Sequence, residues 1–114
     1  MDAQRERRLL GLLGLGARGR LVVVGVDRVR EAALKGSLVL AVVAPDAAAN
    51  SRDKLLPLLK ARRVTVVEGP GTQALGEAVG KAQTATVGVT DRQLAKGIRA
   101  LLNEGVAATP PAAR

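Results

Sequence analysis

Four short aliphatic runs alternate with segments of helical pattern along the chain, and this alternation constrains the fold more than any other feature. The runs are predicted as strands, at residues 21–24, 38–44, 64–67 and 84–89. Strands that alternate with helices form a parallel or mixed sheet with helices on both faces. The sequence therefore predicts an α/β fold, a single-domain three-layer α/β/α sandwich with a mixed sheet of about four strands and five helices.

Glycines and capping residues indicate where the first helix ends. Asp2 is predicted to cap a helix that ends near Leu13, because Gly14, Gly16 and Gly19 follow it. These glycines also match the G-x-G-x-x-G motif, but a dinucleotide-binding site needs a strand before the motif and a helix after it. The order here is reversed, so the glycines are interpreted as a helix stop and a hinge.

The other helices follow from the same signals. The second is predicted to be capped by Asp27 and to stop at Gly36, and the fourth is predicted to span residues 72–79 and to stop at Gly80. The third contains Pro57, which must kink or restart it. The last helix has a T-x-x-Q capping box that starts at Thr90, followed by an apolar stripe.

Composition restricts the chemistry that this chain can perform. It has no His, no Cys and no aromatic residue, which removes the usual general base, thiol nucleophile and transition-metal ligands. A formal net charge of +8 attracts polyanions such as phosphate backbones. An enzyme that works through carboxylates is the least favoured interpretation, and neither a cofactor nor a metal is expected.

The chain is expected to be a cytoplasmic monomer. No apolar stretch approaches the roughly 18 to 20 residues that span a bilayer, and no cleavage site follows the Leu-rich start. The absence of cysteine fits a reducing compartment. One domain is expected over residues 1–105, and residues 106–114 are expected to form a flexible tail, since they cannot bury enough surface to order themselves.

The junction between the first strand and the second helix is the strongest functional signal. A helix start with free amides, flanked by Arg20, Arg28 and Arg30, suits a phosphate backbone. Such junctions also occur in α/β proteins where they only connect a strand to a helix and bind no ligand.

Several segments resemble the kink-turn RNA-binding ribosomal-protein family, whose members include the archaeal large-subunit protein seven-Ae. Residues 25–36 align without gaps with the family's G-x-N-E-x-x-K-x-x-x-x-G stretch, and LVLAVVAPD corresponds to its strand and acidic loop. Residues 56–59 match its L-P-x-L helix, and residues 74–80 its A-L-G-x-A-x-G turn. The resemblance implies a non-catalytic RNA-binding domain with the α/β/α fold.

In that family the first matched stretch contacts sheared G·A pairs of a kink-turn, aided by the loop before the last strand. The resemblance and the basic flank together assign RNA contacts to Arg20, Gly25, Val26, Asp27, Arg28, Glu31, Lys81 and Gln83. Asp27, Arg28 and Glu31 stand where the family has Asn, Glu and Lys. An aspartate cannot donate as an amide does, and Glu31 puts a negative charge where the family offers a positive one. The chain is therefore expected to share the family's fold more fully than its preference for kink-turns.

Two functions remain open at this point. The first is an RNA-binding accessory of the ribosome or of RNA metabolism, with structured RNA as its partner and ribosomal proteins as further candidates. The second is a protein-interaction module on the same fold that has lost kink-turn recognition. Retention of RNA at moderate salt discriminates between them.

Overall fold

In the computed structural model, which describes residues 2–103, four aliphatic segments form the central sheet. They are β1 (Val22–Val24), β2 (Leu40–Val43), β3 (Thr65–Glu68) and β4 (Thr86–Val89), in the order β1-β4-β2-β3. β2 and β3 pair in parallel, whereas β4 is antiparallel to both β1 and β2. Consequently β1, β2 and β3 all start at the same end of the sheet, and β1 and β3 are its two edges.

Within the described residues, five helices cover the two faces of this sheet. They are α1 (Ala3–Arg18), α2 (Val26–Lys35), α3 (Ala49–Ala61), α4 (Thr72–Val79) and α5 (Arg92–Asn103). The first, fourth and fifth helices pack on one face, and the second and third pack on the other. The three-layer α/β/α sandwich that the sequence predicts is thereby confirmed.

Strand β2 shows why an uninterrupted aliphatic run is needed at the centre. All four of its residues are buried. Leu40 and Val42 belong to the core under α1, α4 and α5, whereas Ala41 and Val43 belong to the core under α2 and α3. A strand covered on both faces has no side chain that faces solvent, so β2 is a continuous apolar sequence without polar alternation.

The predicted stop of the first helix at Leu13 is wrong. α1 continues to Arg18, and Gly14 and Gly16 are buried inside it. A Cβ on Gly14 would lie 2.9 Å from the carbonyl oxygen of Ala78, and one on Gly16 would lie 2.6 Å from a methyl group of Leu94. These glycines therefore let α4 and α5 approach α1 closely, and they form neither a stop nor a hinge.

The predicted capping box of the last helix is also wrong. Asp91, not Thr90, caps α5, because its Oδ2 accepts the N–H of Leu94 at 2.8 Å. The Thr90 hydroxyl donates instead to the carbonyl of Leu21 at 3.1 Å. The threonine thus ties the end of β4 to the segment before β1, which a local motif cannot reveal.

α3 runs without interruption through Pro57, so the helix does not restart there. The predicted flexible tail at residues 106–114 lies outside the described residues. Among residues 2–103, none of the helices combines the length and the apolar character required to cross a lipid bilayer.

Asp46, in the acidic loop after β2, caps α4 from a distance in sequence. Its Oδ1 accepts the N–H of Thr72 at 2.9 Å, and its Oδ2 accepts the Thr72 hydroxyl at 3.0 Å. The Thr72 amide and then the Thr72 hydroxyl hold the pKa of Asp46 below its ordinary value of 3.8. The loop after β2 and the start of α4 are therefore linked through one ionised carboxylate.

We expect Asp46→Ala to destabilise the protein near neutral pH and to lose this effect in acid. Because the folded pKa is lower than the unfolded pKa, the carboxylate stabilises the fold above the unfolded value, and the contribution is lost as pH falls through the folded pKa. Denaturant unfolding of both proteins between about pH 6 and pH 2 measures the difference. Asp53→Ala is the control, since the Asp53 side chain is exposed and forms no hydrogen bond or ion pair with residues 2–103. A deficit that persists unchanged at the acid end contradicts the assignment.

Candidate nucleic-acid interface

Gly25 forms the turn between the edge strand β1 and α2. Its φ of 99° and ψ of 158° lie in a region that essentially only glycine adopts, and its N–H donates to the carbonyl of Thr86 at 3.0 Å. Gly25 is the N-cap of α2, so the predicted cap at Asp27 is wrong, and no side chain caps the first turn. The first amides of α2 consequently lack a side-chain acceptor at the point where the chain leaves the sheet.

The loop between α4 and β4 faces this junction and is held in place by backbone contacts. The Lys81 N–H donates to the carbonyl of Gly76 at 2.8 Å, and the Thr84 N–H donates to the carbonyl of Thr72 at 3.0 Å. The Thr84 hydroxyl donates to the carbonyl of Ala82 at 3.0 Å. The loop is thus fastened to α4 at both of its ends, and Lys81 and Gln83 are carried by a defined backbone.

An open cleft lies between the β1–α2 junction and this loop, with a volume of about 970 Å³. We call it the β1 cleft. The aliphatic part of its lining, which we call its floor, includes Val22–Val24, Ala82 and Ala85. The sequence-predicted residues on its lining are Arg20, Gly25, Arg28, Lys81 and Gln83.

The other three predicted residues lie beside the β1 cleft. Val26 and Asp27 occupy the first turn of α2, next to Gly25 but outside the lining. Glu31 lies in a neighbouring depression of about 310 Å³ that shares Arg28 with the cleft. The Glu31 carboxylate pairs with Lys35 at 3.1 Å, so part of the negative charge next to the cleft is neutralised by its own helix.

The β1 cleft is positively charged. Arg20, Arg28 and Lys81 are exposed, and their side chains form neither hydrogen bonds nor ion pairs with residues 2–103. The described lining contains no carboxylate. Arg20 has a φ of 60°, in the left-handed region that is uncommon for a long side chain. Three cations without a partner in the described part of the chain therefore border an aliphatic floor, an arrangement that suits a phosphate-bearing ligand.

Sequence reasoning missed the aliphatic part of this site. The three valines of β1 are only half-buried, because β1 is an edge strand that pairs with β4 alone. A valine run looks the same in an edge strand and in a central strand, so strand order is needed to place it beside the cleft. No group of three or more His, Cys, Asp or Glu side chains that could hold a metal ion exists among the described residues.

Comparisons with known proteins agree with this architecture. Residues 8–98 match the profile of the ribosomal protein L7Ae/L30e/S12e/Gadd45 family. A solved structure of a protein of unknown function from Bacillus halodurans is 32% identical, with a TM-score of 0.77, over 84% of this chain and 97% of that one. A 15.5 kD RNA-binding protein from Giardia lamblia is 19% identical, with a TM-score of 0.76, over 94% of this chain and 92% of that one. No curated protein matches the chain in sequence. With a family match across most of its length, the chain belongs to the ribosomal protein L7Ae/L30e/S12e/Gadd45 family.

Proposed function

We propose that this chain is a non-catalytic RNA-binding protein that docks structured RNA in the β1 cleft. The observation that carries the proposal is the convergence of Arg20, Arg28 and Lys81 on one cleft along β1, where none of their side chains has a partner among residues 2–103. Family membership and the RNA-binding relative from Giardia lamblia support the same function.

In this proposal the RNA backbone supplies most of the affinity. The chain contains no aromatic side chain, so bases cannot stack on aromatic rings as they do on single-strand binding platforms. Arg20, Arg28 and Lys81 contact phosphates, and the absence of a side chain at Gly25 lets a ligand approach the backbone closely. Gln83 can donate to and accept from a base edge or a ribose hydroxyl.

Kink-turn recognition is the finer part of the proposal, and we expect it to be weaker than in other family members. Arg28 lines the β1 cleft where the resemblance predicts a carboxylate acceptor for guanine. Asp27 offers no amide donor, and Glu31 faces Lys35 rather than providing a cation. The altered side chains exchange base-edge contacts for phosphate contacts, which reduces discrimination between RNA sequences.

Together with this RNA-binding function, we propose that the chain acts as an accessory protein of the ribosome or of RNA metabolism. Structured ribosomal or other non-coding RNA is the partner, and ribosomal proteins are further candidates. The chain acts in the cytoplasm as a monomer. Family membership is the observation that supports this assignment.

A protein-interaction module is the second candidate, and one feature favours it. Strand β1 pairs only with β4, and its three valines are half-buried. A short edge strand with aliphatic side chains can add a strand from a partner protein. In that case Arg20 and Arg28 would flank a peptide instead of a phosphate backbone.

A salt titration tests the RNA-binding proposal. If three cations contact phosphates, the logarithm of affinity should fall with the logarithm of salt with a slope of about −2.7, or roughly 40-fold between about 50 and 200 mM. Two RNAs are compared, a kink-turn and the same RNA with Watson–Crick pairs in place of its G·A pairs. We expect both to show the steep slope and to differ by less than about tenfold. Affinity that does not change with salt, or no binding of either RNA, favours the protein-interaction module.

A further inference from the structure

A second set of cations lies at the end of the sheet where β1, β2 and β3 start. Lys35 ends α2, Lys60 lies in the last turn of α3, and Arg62 and Arg63 follow α3 directly. Arg99 reaches the same end from α5 on the opposite face of the sheet. We call this set the basic end surface.

Two of these arginines show that the three elements converge on one surface. Arg62 Nη1 donates to the carbonyl of Leu34 at 3.4 Å, which ties the end of α3 to the end of α2. Arg99 Nη2 donates to the Thr65 hydroxyl at 3.1 Å and lies 3.5 Å from the carbonyl oxygen of Val39. Its guanidinium therefore lies across the starts of β2 and β3. The basic end surface thus spans both helix layers.

No contact within residues 2–103 explains the charges of Lys60 and Arg63. Both side chains are exposed, and neither forms a hydrogen bond or an ion pair with the residues that the structure describes. Arg63 has a φ of 59°, a left-handed conformation in which glycine is the less strained residue. A long, charged side chain therefore occupies a position whose backbone conformation favours glycine.

Helix capping does not account for these two cations either. Cations stabilise a helix end by compensating its free carbonyl groups. At the end of α3 the amides of Arg62, Arg63 and Val64 already donate to the carbonyls of Leu58, Lys60 and Leu59. The cations are therefore available to an external ligand.

Nearby carboxylates do not cancel the charge of the basic end surface. Glu31 is engaged by Lys35 at 3.1 Å. Asp91 accepts the N–H of Leu94 at 2.8 Å, so its negative charge is balanced by the positive end of the α5 helix dipole. Lys60, Arg62, Arg63 and Arg99 are left as a net positive group, which attracts a polyanion.

We infer that the basic end surface binds the phosphate backbone of an RNA helix that continues from the β1 cleft. Arg20 precedes the start of β1 and borders the cleft at this same end of the sheet, whereas Arg63 precedes the start of β3 at the opposite edge. Three strand spacings, roughly 14 Å, separate these edges. An RNA that leaves the cleft beside Arg20 can therefore cross the end of the sheet to Lys60 and Arg63. This inference rests on the proposed function.

Matched double variants separate the two surfaces. Lys60→Gln with Arg63→Gln alters the basic end surface, and Arg28→Gln with Lys81→Gln alters the β1 cleft. Arg7→Gln with Lys54→Gln is the control, because these exposed residues lie in the early turns of α1 and α3, near the opposite end of the sheet. Each pair lowers the net charge by two, so that a general loss of charge affects all three alike.

Each variant is titrated with two RNAs, a short stem–loop that fills only the cleft and the same RNA with its stem extended by one helical turn. We expect the Lys60/Arg63 pair to weaken the extended RNA about tenfold and to lower its salt slope by about two, with no loss beyond the control on the short RNA. Losses equal to the control on both RNAs, or equal losses on the short and extended RNAs, overturn the inference. If the Arg28/Lys81 pair has no effect on either RNA, the proposed function of the β1 cleft fails. The titrations of the Lys60/Arg63 variant then still show whether RNA binds the basic end surface.

Discussion

Gly76→Ala should destabilise the protein by about 3 kcal/mol, because a methyl group in a fully packed position forces its neighbours to move. A Cβ at this position would overlap the carbonyl oxygen of Ala82 and would lie 3.1 Å from that of Lys81. Both obstacles are backbone atoms of the loop that carries the cations of the β1 cleft. They are also fixed by the hydrogen bonds from Lys81 to Gly76 and from Thr84 to Thr72.

The matched control is Gly97→Ala. Gly97 lies inside α5, and nothing lies within 4 Å of a Cβ built there. Since alanine is the better helix former, the control should gain about 0.5 to 1 kcal/mol. Thermal unfolding measures both effects, with an expected fall of about 10 to 20 °C for Gly76→Ala and a rise of a few degrees for the control. A Gly76→Ala protein as stable as the wild type would show that the loop does not pack on α4.

The sequence predicted the elements of this fold well where the signals are local. The uninterrupted run around Leu40–Val43 indicated a central strand, and burial on both faces confirms it. Gly36 and Gly80 were expected to end α2 and α4, and both adopt the left-handed conformation at these C-caps. In each case the physical cause lies within a few residues, so the sequence itself displays it.

The errors arose where the cause lies far away in the chain. Gly14 looked like a helix stop, yet it is glycine because α4 packs against α1 at Ala78. Thr90 looked like a helix cap, yet its hydroxyl binds Leu21 across the end of the sheet. A local pattern cannot distinguish these roles, because the partner residue is not part of the pattern.

The candidate site was predicted in part. Charged residues at the start of α2 and before β4 were identified from the sequence, and the structure brings Arg28 and Lys81 to the same cleft. The aliphatic floor was not foreseen, because it depends on β1 being an edge strand. The contacts of all eight predicted residues with RNA stay predictions, and Asp27 lies beside the cleft rather than in its lining.

Charge reversal at the rim of the β1 cleft should have the largest effect on RNA binding. Arg28→Glu with Lys81→Glu replaces two phosphate-binding cations by anions, and neither cation holds the described part of the fold together. We therefore expect unchanged thermal stability and about a 100-fold loss of affinity for structured RNA at low salt, with a salt slope smaller by about two. Arg7→Glu with Lys54→Glu changes the net charge equally and is the control.

The affinity of these two double variants for one structured RNA, measured at a single low salt concentration, is the most direct test of RNA binding in the β1 cleft. We expect the Arg28/Lys81 variant to bind at least about tenfold more weakly than the Arg7/Lys54 variant, because local phosphate contacts add to the loss of overall charge. Equal affinities of the two variants would contradict this proposal, since RNA would then respond only to the net charge and not to the β1 cleft.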